Sequence, residues 1–191
     1  MRFALGFYLG VALVAAGLAW AAGRPAAVLA PIRGFDVPDL WFRGLAGIAL
    51  AAVFAALVVT WSQWVPGRSR LMADLVAALR EQLSPMGGRT VWLLSLASGV
   101  AEELLFRGSL LALAGPFWST FLFAFLHFPV ERRLAAWPIL ALVVGACLAA
   151  LTVLSGSVLP AMLAHLLVNG WNLGWLTNSG SEWAEAPGGE V

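Results

Sequence analysis

The chain has 191 residues, 61% of them apolar and only 11% charged, with a formal net charge of +1. Soluble domains carry about a quarter charged residues, so this composition points to a membrane protein rather than a water-soluble domain. The near-neutral balance also argues against nucleic acid as a partner, which would ask for a basic face.

The first apolar run, Phe3 to Ala22, follows Arg2 in the layout of a signal peptide. Its length of about twenty residues exceeds the usual apolar region of roughly 7–15, so it reads as a retained first span. The loop GRPAAVLAPIRGFDVPDL leads to a second span, Gly44 to Trp64. Next come Leu71, Leu75, Val76, Leu79 and Leu83 at helical spacing among polar residues. That pattern suits a helix lying in the interface plane. A third span, Val91 to Leu113, is broken from a short fourth, Phe117 to Phe128, by Gly115-Pro116. The VERR loop precedes a fifth span, Leu134 to Leu154, and SGS precedes a sixth, Val158 to Trp175. Pro160 falls in the first turn of that last helix, where its missing N–H is tolerated. The acidic tail of residues 177–191 is expected to be disordered.

These elements predict an all-α fold, a polytopic transmembrane helical bundle of about six spanning helices plus the interfacial helix. All eleven basic residues are arginine, and their placement sets orientation. One side gathers Arg2, Arg68, Arg70, Arg80, Arg89, Arg132 and Arg133, the other Arg24, Arg33 and Arg43. The heavier side is expected to be cytoplasmic, with both termini inside. Cys147 has no mate for a disulfide and reads as a small buried hydrophobe.

The third span carries Glu102, Glu103 and Arg107. Each charge at a helix centre costs roughly 2.5–3.5 kcal/mol on insertion scales, taking Glu as Asp. The leucines, valines and phenylalanines of the span return less than that, so the charges must pair and face other helices or a wet cavity. Glu103 and Arg107 stand i,i+4 and can pair directly, whereas Glu102 is turned about 100° away by the helical period and needs another partner. The chain's two histidines, His127 and His165, both fall in spans, and Asn169 and Asn172 follow His165 on its stripe. A carboxylate and an imidazole can hold and deprotonate a water. A second imidazole and a carboxamide can donate to an oxyanion.

The segments EELLFR (Glu102 to Arg107), FAFLH (Phe123 to His127) and HLLVN (His165 to Asn169) together resemble the three motifs of the CPBP intramembrane endopeptidases. That family comprises type II CAAX prenyl proteases and bacteriocin-processing or immunity proteins, also called the Abi family. The resemblance spans Glu102 to Asn169; before residue 100 it rests on hydrophobic character alone. It implies that Glu102 and His127 activate the nucleophilic water, that His165 and Asn169 stabilise the oxyanion, and that Glu103 and Arg107 brace the site. It implies a division into N-terminal spans and interfacial helix (1–90), a catalytic helical core (91–176) and a tail (177–191), forming one structural domain. No cofactor is the preferred expectation. The alternative is a divalent metal such as zinc, held by Glu102, Glu103, His127 and His165 from three helices. The expected partners are membrane lipids and a membrane-bound peptide or protein substrate, in a bacterial cytoplasmic membrane.

Other readings are weaker. A rhomboid-type serine site wants Gly-x-Ser-Gly where this chain has LASG, Leu96 to Gly99, and Asp36, Asp39 and Asp74 lie outside the spans. A proton-relay transporter would favour inverted repeats that are not evident. A non-catalytic membrane binding or scaffold protein with a structural polar cluster stays open as the alternative. One depth problem also stands: His127 falls near the cytoplasmic end of its span, while Glu102 and His165 fall nearer mid-membrane.

Overall fold

The computed structural model describes residues 2–31, 37–83, 86–129 and 131–178, and among these every regular element is a helix. The helices are α1 (Arg2–Ala21), α2 (Val37–Trp64), α3 (Arg70–Leu83), α4 (Gly88–Glu103), α5 (Leu111–Leu126), α6 (Trp137–Ser155) and α7 (Leu159–Asn178). A π-helical segment, Leu104–Leu110, joins α4 to α5. Most of the tail expected to be disordered, residues 179–191, lies outside the described residues, as do Arg33 and Val130.

Four stretches among the described residues are long and apolar enough to cross a membrane: Arg2–Ala21, Arg43–Arg68, Gly88–Leu126 and Arg132–Ser155. Their outward faces carry Phe3, Phe7, Leu13, Leu57, Phe117, Trp118, Phe121 and Phe125, all exposed. Water would not tolerate such a belt on a monomer, whereas hydrocarbon does. The all-α membrane bundle follows from both observations. The 39-residue stretch Gly88–Leu126 takes in both the third and the fourth expected spans.

The break between those two spans is physical. Gly115 adopts φ 83°, ψ 170°, outside any helix, and Pro116 follows it. Proline has no N–H, so the carbonyl of Ala112 loses its helical donor. Arg24, in the loop after α1, supplies a replacement: its Nη1 donates to Ala112 O at 2.9 Å, and its Nη2 to Pro31 O at 3.3 Å. Arg24→Ala is therefore expected to lower stability by about 1–3 kcal/mol, the cost of a partly buried acceptor left bare. Thermal unfolding in detergent would show this; an unchanged melting temperature would mean the carbonyl finds another donor.

Beyond the break only the residues from Pro116 to Leu126 remain helical before His127. At 1.5 Å per residue they rise about 16 Å, roughly half of a 30 Å hydrocarbon core. The fourth helix is thus half a span long, and His127 at its end packs on Phe123, whose ring also meets His165.

α4 packs between α1 and α7, α7 packs on α2, and α5 packs on α6. Small residues permit these approaches. A Cβ on Gly99 would stand 3.1 Å from the Leu166 amide nitrogen, so α4 and α7 meet almost backbone to backbone. Ala51, Leu148, Leu151, Ala161 and Ala164 form the core shared by α2, α6 and α7.

α3 is the expected amphipathic helix. Its apolar stripe is used by the protein as well as available to lipid: Met72, Leu75 and Ala78 are buried against Leu134 and Ala136. Leu71 stays exposed. Arg133 donates from Nη1 and Nη2 to the two oxygens of Glu81, at 3.0 and 2.9 Å, and from Nε to Glu131. The hydrogen bond from Arg133 holds the Glu81 carboxyl below its ordinary range. This clamp ties the connection that follows His127 to α3.

Candidate active site

The π-helical segment begins one residue after Glu103. The Leu111 amide donates to Phe106 O, five residues back, and the wider turn frees backbone in the way π-segments at functional sites do. Two neighbours hold the segment from outside. Ser109 Oγ donates to Ala15 O of α1 at 2.7 Å, and Ser119 Oγ donates to Phe106 O at 2.6 Å. Gly108 faces the Val28 backbone so closely that a Cβ there would overlap it.

The two adjacent glutamates meet different partners. Glu103 and Arg107 are both 0% exposed. Glu103 Oε1 accepts from Arg107 Nη1 at 2.8 Å and from His165 Nδ1 at 2.7 Å. Arg107 Nη2 donates to Gly145 O at 3.0 Å, and its guanidinium lies 4.3 Å from the centre of the Phe123 ring. Glu102 is nearly buried as well, and its Oε2, like Glu103 Oε2 and Arg107 Nε, has no hydrogen-bond partner among the described residues. That oxygen stands 3.9 Å from His165 Nε2. The charges acting on Glu102 are those of His165, His127, Glu103 and Arg107.

Both histidines are fixed through Nδ1. His127 Nδ1 lies 2.7 Å from Phe123 O, and a carbonyl accepts only, so the proton sits on Nδ1. In the neutral ring His127 Nε2 then carries a lone pair. The same argument puts a proton on His165 Nδ1, facing the Glu103 carboxylate. Phe123 lies against both rings, 4.5 Å from His127 and 6.0 Å from His165 between centres. Asn169 Nδ2 donates to Ser98 Oγ at 3.1 Å, and Ser98 Oγ donates to Ser95 O at 3.3 Å.

Glu102, Glu103, Arg107, His165 and Asn169 therefore line one seam between α4 and α7, and His127 joins it from the end of α5. Asn172 does not. Its Oδ1 accepts from Ser62 Oγ of α2 at 2.8 Å, so the polar stripe of α7 splits and its last member braces α2. The serine of LASG, Ser98, weighed from sequence only as a nucleophile, here accepts the hydrogen bond from Asn169 Nδ2. Sequence reasoning passed over Gly145, which no signal marks.

Gly145 is where α6 comes close enough to accept from Arg107. A Cβ there would stand 2.9 Å from the Phe123 ring and 3.1 Å from Arg107 Nη2. Gly145→Ala is expected to cost about 1–3 kcal/mol of stability through overpacking. The substitution also displaces the guanidinium that holds Glu103. Wild-type melting and wild-type activity together would show that Phe123 and Arg107 yield without loss.

Residues 88–171 match the family described as type II CAAX prenyl endopeptidase Rce1-like. No curated protein and no solved structure matches the chain. The matched stretch begins at the start of α4 and ends two residues past Asn169, so it takes in all six residues of the seam.

Proposed function

We propose, from the match of residues 88–171 to the Rce1-like type II CAAX prenyl endopeptidases, that this integral membrane protein hydrolyses a peptide bond in a membrane-associated peptide or protein using water activated by Glu102. The observation that carries the assignment is the unequal state of the two glutamates. Glu103 is anchored through Oε1 by Arg107 and His165 and is wholly buried, whereas Glu102 is held by no arginine and its side chain keeps 16% of its surface exposed. Oε2 of each is buried with no hydrogen-bond partner among the described residues, so the difference lies in anchoring and access. A carboxylate free of a guanidinium and reachable by water suits a general base.

The step runs as follows. Water gives a proton to Glu102 while its oxygen adds to the scissile carbonyl carbon, and His127 Nε2 accepts the hydrogen bond that orients it. The carbonyl oxygen becomes an oxyanion. His165 Nε2 and the second N–H of the Asn169 amide donate to it. Collapse breaks the C–N bond, and the departing amine takes the proton from Glu102. When His165 holds both ring protons, Glu102, Glu103, Arg107 and His165 sum to zero charge, which suits a site shut off from water.

The reading is metal-free. Glu103 Oε1 already accepts from a guanidinium and an imidazole N–H, and the Arg107 charge beside it opposes a second cation. Among the described residues no three His, Cys, Asp or Glu side chains are grouped to hold a metal ion. The arginine distribution supports a cytoplasmic site for both termini and cleavage near that face. The small, all-arginine chain suits a bacterial inner membrane.

Cleavage of a quenched-fluorescence library of membrane peptides by the purified protein in detergent tests the reading. Peptide products with a newly formed carboxylate, incorporating oxygen from labelled water, are expected. Folded protein that cuts neither the library nor any co-expressed membrane protein would overturn it.

A further inference from the structure

Ser98 stands about one helical turn before Glu102 on α4 and is 5% exposed. Its Oγ accepts from Asn169 Nδ2 of α7 at 3.1 Å. The same hydroxyl donates its one proton to the Ser95 carbonyl at 3.3 Å. The Ser95 hydroxyl does not compete for either group, because it is spent on Val91 O at 2.8 Å. The donors therefore run in one direction, from Asn169 to Ser98 to the α4 backbone. A backbone carbonyl only accepts, so the polarity of the chain is fixed at that end. With its proton committed, Ser98 offers Asn169 only a lone pair, and Asn169 must turn its NH2 and not its carbonyl toward α4. Beside this contact Gly99 lets the two helices meet almost backbone to backbone, which sets the distance Ser98 has to span.

We propose that Ser98 is a positioning residue of the hydrolytic site, fixing the Asn169 carboxamide so that its second N–H points to the oxyanion. Ser98 and Glu102 share one face of α4. A single helix thus carries both the base and the anchor of the oxyanion donor, and keeps water attack and charge stabilisation in register across the seam. Without the hydroxyl the amide can turn about its broad terminal torsion, and its carbonyl and NH2 exchange places. Turned round, Asn169 presents an acceptor to the oxyanion and repels it. The reaction needs that amide fixed only when charge develops on the carbonyl oxygen. The effect therefore falls on the transition state and not on substrate binding. A serine that only joined two helices would register in the melting temperature and leave this split absent.

The inference rests on the endopeptidase reading, and two readouts separate their failures. In the cleavage assay Ser98→Ala is expected to lower kcat about 10-fold with KM unchanged. That is less than the roughly 10²–10³ lost when an oxyanion donor is removed outright, as in Asn169→Ala. In the Asn169→Ala background, Ser98→Ala should cause no further loss. Ser98→Cys, which keeps the volume and offers sulfur as a weak acceptor, should fall with Ser98→Ala. The second readout needs no substrate. The chain holds three asparagines, Asn169, Asn172 and Asn178, so protein labelled with nitrogen-15 asparagine gives three side-chain amide pairs. The Asn169 pair, identified by its absence in Asn169→Ala, is expected to shift in Ser98→Ala and in Ser98→Cys. Wild-type kcat in both Ser98 variants, a loss that adds to that of Asn169→Ala, or an amide pair that does not move overturns this inference and leaves the endopeptidase reading intact. A wild type with no Glu102-dependent cleavage overturns the reading and the positioning role together, whatever the amide pair does.

Discussion

Arg107→Ala is expected to destabilise the protein by about 3–5 kcal/mol, the usual penalty for stranding one member of a buried ion pair. Glu103 would keep its His165 contact but lose the guanidinium that neutralises it, in a place with 0% exposure. The Gly145 carbonyl would lose its donor at the same time. Arg107→Lys should recover only part of this, because a point charge cannot serve Glu103 and Gly145 with one planar fork. The paired change Glu103→Met with Arg107→Met removes both charges and should be more stable than either single loss. Unfolding midpoints in detergent measure all four. Equal midpoints for Arg107→Ala and wild type would mean that water or another donor reaches Glu103, and that the seam is wetter than its burial implies.

Glu102→Gln separates chemistry from architecture. Glu102 holds no ion pair with Arg107, and its one charged contact is His165 Nε2 at 3.9 Å, so the variant should lose less stability than one at Glu103. Its kcat should nevertheless fall by about 10²–10⁴, the range for removing a general base. Glu103→Gln should behave in the opposite manner, losing stability and activity together, since a neutral amide cannot balance Arg107. Two adjacent residues of one type would then show two different signatures. If both variants lost stability equally and kept proportionate activity, the cluster would be structural.

Much of the site was legible from spacing. Glu103 and Arg107 lie i,i+4, and that proximity survives into the π-helical turn. The insertion cost of three charges required a polar neighbourhood, and the two histidines and Asn169 were the chain's available candidates. Gly115-Pro116 announced a break in the helix. The consequence of the break was less visible, because the length of the fourth helix depends on counting the helical residues after the proline and not on their hydropathy. The π-helical segment left no mark at all: LLFRGSL reads as ordinary helix, and only its contacts with Ala15, Val28 and Ser119 widen it. The fate of Asn172 was likewise hidden. A stripe on α7 shows which residues share a face, but the neighbour each one meets depends on where α2 and α4 cross. Gly145 reads as one small residue among many in an apolar span until its carbonyl is seen under Arg107.

The central claim is that water is activated by the Glu102 carboxylate without a metal. The most direct measurement is the rate of membrane-peptide cleavage by wild type and Glu102→Gln, each with and without a strong chelator. The account predicts that wild-type cleavage persists at full rate after chelation and that Glu102→Gln is inactive in both conditions. Cleavage lost on chelation and restored by added metal, or a Glu102→Gln variant as fast as wild type, would contradict it.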